Sequence, residues 1–189
     1  MFPICLFGTM TARIVHFLFG TFLMLYITAE IPDQLEAESI IQRVNISSVA
    51  AAVLIVIPAG IIADRLPARL LIPFSFTLVA LSLILFQFIG SPRDGLIPLY
   101  LVVTLIMIGS VFAMTSIETV FARNLPKEVR GTMNGVQTFF GTVGGLIFTK
   151  VGGYMYDTVG IKSPFLLVAG VNLVFATFVV YAGVSGRFK

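Results

Sequence analysis

Val49-Ala-Ala-Ala-Val-Leu-Ile-Val-Ile-Pro58-Ala-Gly60-Ile-Ile-Ala-Asp64-Arg65-Leu66-Pro67-Ala68-Arg69-Leu70-Leu-Ile-Pro73-Phe74 sets a short charged turn between two apolar runs. The runs extend over about 46–63 and 70–90. Each has the length of a membrane-crossing helix, which takes about 20 residues. Neither alternates with the period of two that a barrel strand requires. In lipid the backbone must satisfy its own polar groups, so helices remain.

Four further segments of the same kind lie at about 10–29, 97–122, 131–155 and 163–183. The chain has 189 residues, 58% apolar and 11% charged, with no Trp. Its mean hydropathy is +1.03. A soluble domain averages about 25% charged residues, so this composition excludes one. The single Cys5 excludes an internal disulfide, and no Cys/His cluster with metal spacing exists, so no metal and no cofactor is expected. Six spans take about 120 residues and leave about 69 for connections. The expected fold is one all-α integral membrane domain, residues 1–189, with six transmembrane helices.

Pro32, Pro67, Pro92, Pro98 and Pro126 fall in or beside the gaps, where a missing amide donor does little harm. Pro58 and Pro73 lie inside spans 2 and 3, where kinks are expected. Met1-Phe2-Pro3-Ile4-Cys5-Leu6-Phe7 lacks the basic start and cleavage site of a signal peptide. Residues 1–9 read as the start of helix 1 or the tail of something upstream.

Lys and Arg set the expected orientation. The gaps at 64–69 and 123–130 and the C-terminal tail hold Arg65, Arg69, Arg123, Lys127, Arg130, Arg187 and Lys189. The opposite gaps hold Arg43, Arg93 and Lys162. Seven against three places the first set, and both termini, in the cytoplasm. The 30–45 segment reads as a long outer loop with Glu30, Asp33, Glu36 and Glu38; Asn45-Ile46-Ser47 is a sequon close to the membrane. The net charge of +3 comes mostly from this bias, and no basic patch calls for nucleic acid.

Gly60-Ile-Ile-Ala-Asp64 ends span 2 and Gly153-Tyr-Met-Tyr-Asp157 ends span 5, on opposite sides of the membrane. That echo suits two three-helix repeats of opposite topology, a feature of some secondary transporters. With 17 Gly in the chain, chance recurrence is the competing reading.

Residues 60–69 also resemble the loop motif of the major facilitator superfamily, roughly G-x-x-x-D-R-x-x-x-R. Leu125-Pro126-Lys127-Glu128-Val129-Arg130-Gly131 resembles the family's P-x-x-x-R-G link between the fourth and fifth helices of a half. A Gly-rich fifth helix, Gly153 to Gly160 and Ser163-Pro164-Phe165 follow in the family's order. Pro67 departs from the usual form. The resemblance implies one six-helix half of a transporter. It is closer to the C-terminal half, because span 4 has no basic residue before Arg123. It also implies that Asp64 meets a helix end in another half and that the third helix of each triplet faces lipid.

The candidate residues each carry two readings. Gly60, Asp64, Arg65, Arg69 and Arg130 form a charge cluster that either gates a conformation or marks topology among headgroups. Glu118 either pairs with Arg65, Arg69 or Arg130 at the mouth or faces a cavity with Ser110, Met114 and Thr115. Asn134, Gln137, Thr138, Gly141, Thr142, Gly145 and Thr149 share one face of span 5. Gly131-x-x-x-Gly135 and Gly141-x-x-x-Gly145 within that helix suit close packing; the polar side chains suit a solute path. Arg13 and His16 share a face of span 1, either snorkelling or serving substrate and a coupling proton. Lys150 reads as a snorkelling interface residue.

The expected activity is secondary active transport of a small solute by alternating access, with helices 1, 2, 4 and 5 lining the path. No Walker loop is present, so direct ATP drive is not expected. A membrane enzyme lacks a catalytic cluster; a scaffold or adaptor of the same fold is the alternative, and the polar face of helix 5 discriminates. Partners expected are the bilayer, the solute and a second wall for the cavity. That wall makes the chain a fragment, a split half or an obligate homodimer.

Overall fold

A computed structural model describes residues 2–92 and 95–184. The charges counted at Arg93, Arg187 and Lys189, and the side chain of Lys127, lie outside the described residues. Among the described residues the chain is helical with no strand.

The first helix, α1, is continuous through Phe2–Phe17, a π-helical stretch Leu18–Leu23 and Met24–Glu30. Then follow α2, Gln34–Arg65, α3, Ala68–Gln87, and α4, Ile97–Asn124. A 3₁₀ turn at Lys127–Val129 leads into α5, Arg130–Thr158, and α6 is Ser163–Val184. The helices run through Pro58 and Pro73 without interruption.

One expectation needs correction. The outer loop at 30–45 is mostly helix: Asp33 caps α2, its carboxylate accepting from the Leu35 amide at 3.1 Å, and Glu36 sits in the first turn. An N-cap acid followed by an acidic first turn is a helix start. Among the described residues, five of the six long helices pass as membrane spans on length and apolar content, and α5, the sixth, is more polar. Its Gly, Thr, Asn134 and Gln137, with Arg130, Lys150 and Asp157, dilute the apolar content over its 29 residues.

Packing orders the helices in two layers. α5, α1, α4 and α2 form the front layer, each against the next, with α1–α5 and α2–α4 the largest seams in it. α3 packs behind α4, and the α3–α6 seam is the most extensive in the molecule. Exchanging α1 with α4, α2 with α5 and α3 with α6 maps α1–α5 onto α4–α2 and returns α3–α6 to itself. The pairing therefore has the two-fold form of a three-plus-three repeat.

Apolar burial falls into two clusters. One centres on Tyr26, Phe22, Phe86 and Phe165, the other on Phe76, Ile117 and Phe175. At the Glu30 end, polar bonds close the bundle. Tyr26 donates to the Gly90 carbonyl at 3.2 Å and Ser91 to the Glu30 carboxylate at 2.7 Å. Lys162 donates to the Ile89 carbonyl, and Gln87 donates back to the Lys162 carbonyl at 3.2 Å. Asp157 is exposed at this end, opposite to Asp64.

Candidate polar pocket and charged end

Three helices bring polar side chains together near the Asp64 end. α1 contributes Arg13. α4 contributes Met114, Glu118, Phe121 and Ala122, spaced i, i+4, i+7 and i+8 on one face. α5 contributes Asn134, Gln137 and Thr138. They enclose a pocket of about 360 Å³. Glu118 lies six residues from the end of α4, so the pocket sits about 9 Å into the bundle by the helical rise.

The seating of Arg13 comes from α5. A Cβ on Gly141 would collide with the Arg13 side chain, so the guanidinium stem lies across bare helix backbone. Arg13 then donates to the Thr138 hydroxyl at 3.3 Å, while its Nε is buried without a partner. Two neighbouring glycines do the same for α1: Gly144 receives Met10 and Gly145 receives Phe17. This is the small-residue seam by which membrane helices approach closely. Gly131 and Gly135 do not belong to it: nothing lies within 4 Å of a Cβ built on either, and the helical spacing turns both away from the face that carries Gly141 and Gly145.

The polar stripe of α5 divides. Gln137 is buried and donates to the Thr9 hydroxyl, which donates to the Cys5 carbonyl at 3.0 Å. That is a bond between helices. Asn134, Thr138 and Thr142 are exposed on the adjoining strip, and Thr142 donates to the Thr138 carbonyl at 3.0 Å. Thr9 escaped the sequence reading because it lies just before the first span, which the sequence marks from about residue 10.

Five of the eight path candidates, Arg13, Met114, Asn134, Gln137 and Thr138, therefore line one pocket. His16 does not; it is exposed, with Nδ1 3.3 Å from the Ala12 carbonyl. Ser110 is buried within the bundle, its hydroxyl without a hydrogen-bond partner. Thr142 lies one turn outside the lining.

Glu118 forms no ion pair among the described residues, which corrects the pairing with Arg65, Arg69 or Arg130; it faces the pocket instead. The ion pair at this end is Asp64–Arg123. Arg123 donates to the Asp64 carboxylate at 3.0 Å and to the Asp64 main-chain carbonyl at 3.0 Å. It fastens the end of α2 to the end of α4. Arg130 caps α4, donating to the Ala122 carbonyl at 3.0 Å. Arg65 and Arg69 are exposed, and Gly60 has open space around it. Lys150 is exposed on α5.

Long apolar helices in two layers, related three to three, with a polar pocket in the front layer, define a polytopic α-helical membrane protein. The Major Facilitator Superfamily matches residues 5–186, and the chain belongs to that family of membrane transporters. A relative among characterised proteins is the magnetosome protein MamH of Paramagnetospirillum magneticum (strain ATCC 700264 / AMB-1). It is 29% identical over 101 residues, which cover 53% of this chain and 23% of MamH. The matched stretch thus spans under a quarter of that relative's length. No solved structure matches the chain.

Proposed function

We propose that the chain is one six-helix unit of a secondary active transporter that moves a small solute by alternating access. The pocket between α1, α4 and α5 is the observation that supports this reading. Ionisable groups within a membrane face a bundle interior or a watery cavity, because lipid solvates them poorly. Arg13 and Glu118 share such a pocket, and Glu118, Asn134 and Thr138 are exposed on its open side.

An open polar side implies a second wall. A second six-helix unit, either a partner half or another copy of this chain, supplies it. α2 is the least buried of the five clearly apolar helices, with Val53, Leu54 and Ile57 outward. That face and the outer face of α5, with Phe139 and Leu146, are open to the partner unit and to lipid. α1, α2, α4 and α5 line the path, and α3 and α6 face lipid. The Asp64–Arg123 end lies in the cytoplasm with both termini, following the Lys/Arg bias. Breaking and remaking contacts at this end accompanies the change between inward and outward states.

Reconstitution tests the proposal. The chain, alone and with a partner half, is placed in liposomes and solute uptake is followed with and without a pH gradient. Uptake that falls in Asn134→Leu/Thr138→Val, at equal folded protein, supports a solute path. Uptake indifferent to that change leaves the scaffold reading. Gln137 is left intact in this test because its bond to Thr9 holds α5 to α1.

A further inference from the structure

The pocket contains one guanidinium and one carboxylate, and no ion pair joins them or ties either to another group among the described residues. Within the span of a membrane, where lipid solvates ions poorly, a charge without a partner of opposite sign is costly, and a ligand can supply that partner. We propose that the solute is a small zwitterion, its anionic group on Arg13 and its cationic group on Glu118. The inference rests on the pocket being the solute site proposed above.

Arg13 is held for that use. Its stem is seated over Gly141 and its guanidinium donates to the Thr138 hydroxyl rather than to Glu118. Its terminal nitrogens form a planar fork suited to a carboxylate or a phosphate oxygen pair. An ionised Glu118 only accepts hydrogen bonds, so it favours an ammonium or another donor group. A simple anion would satisfy Arg13 and leave Glu118 unpaired, and a simple cation would do the reverse. Met114, Phe121 and Ala122 supply the apolar part of the lining. The volume of about 360 Å³ is at the small end of the roughly 300–1,000 Å³ range of ligand pockets. A short hydrocarbon linking two opposite charges matches it.

The test measures binding to the full chain in detergent. Probes are the ω-amino acids from glycine to 6-aminohexanoate, each beside its matched carboxylate, amine and amide. The expected result is at least one ω-amino acid binding about tenfold or more tighter than its matched carboxylate and amine, the scale of one charge-assisted bond. Arg13→Gln should remove the gain contributed by the carboxylate and leave amine binding unchanged. Glu118→Gln should remove the gain contributed by the ammonium. Glu118 is exposed, so E118Q keeps the fold even where R13Q disturbs the α1–α5 seam, and Arg13→Lys should restore part of the anion preference. If no ω-amino acid binds better than its matched singly charged and neutral analogues, or if both variants weaken all probes alike, the proposal is overturned. Uptake that ignores solute charge would reject the zwitterion and keep the transport reading. Charge-selective binding without uptake of any solute would keep the zwitterion and reject transport.

Discussion

The α3–α6 seam at the back of the molecule and the α1–α5 seam at the front solve one problem in opposite ways. At the back, rings meet rings: Phe86 stacks on Phe165 at 4.2 Å, and Phe76 meets Phe175 edge-on at 4.6 Å. At the front, large side chains of α1 drop onto bare backbone at Gly141, Gly144 and Gly145. Lipid tails are as apolar as the side chains, so packing quality rather than hydrophobic transfer drives both seams. The front solution keeps the helices close while leaving polar groups beside the seam to line a pocket. The back seam also leaves a pocket, of about 350 Å³, but apart from Arg69 its lining is apolar: Leu70, Pro73, Val180, Gly183 and Val184. The rear layer is packed ring against ring and the front layer is notched and polar, so under the proposed function the rear serves stability and the front serves the solute.

That contrast can be broken from either side. Phe165→Ala should have the largest effect on stability. It removes a ring packed against both Phe86 and Tyr26, with a loss of about 3 kcal/mol read by equilibrium denaturation in detergent. Gly145→Ala should cost about 1–3 kcal/mol by forcing Phe17 from its notch. Gly135→Ala, in open space, should be neutral or gain up to about 1 kcal/mol from helix propensity. Equal losses at Gly145 and Gly135 would mean that the notch is not what joins α1 to α5. Asn134→Leu/Thr138→Val should change stability by less than about 0.5 kcal/mol, as exposed positions do, yet abolish most uptake. Asp64→Asn should also have a small effect on folding, under about 1 kcal/mol, because the Arg123 pair is largely solvent-exposed.

Much of this architecture is legible in local patterns. Span length, the charged turn at 64–69 and the order of motifs point to a six-helix membrane fold, because each is a short-range signal. What depends on neighbours is not. Arg123 reads as one more positive charge until α4 is known to end beside α2. The stripe on α5 reads as one face, but the diameter of α1 divides it: Gln137 falls inside the contact and Thr138 at its edge. Gly131 and Gly141 have the same spacing motif, and only the position of α1 separates open space from a seat for Arg13. The start of α2 was legible in Asp33 and Glu36, but four acidic residues between apolar runs mimic a loop.

Water access to the front layer tests the central claim most directly. With Cys5 replaced by Ser, single cysteines at Thr138 and Phe74 are exposed to a membrane-impermeant maleimide in proteoliposomes. Thr138 lines the pocket, and Phe74 lies on the outer face of α3. The account predicts rapid labelling of T138C, protection of that site by transported solute, and an inert F74C. Equal inertness of T138C and F74C, in a chain shown to be folded, would contradict it.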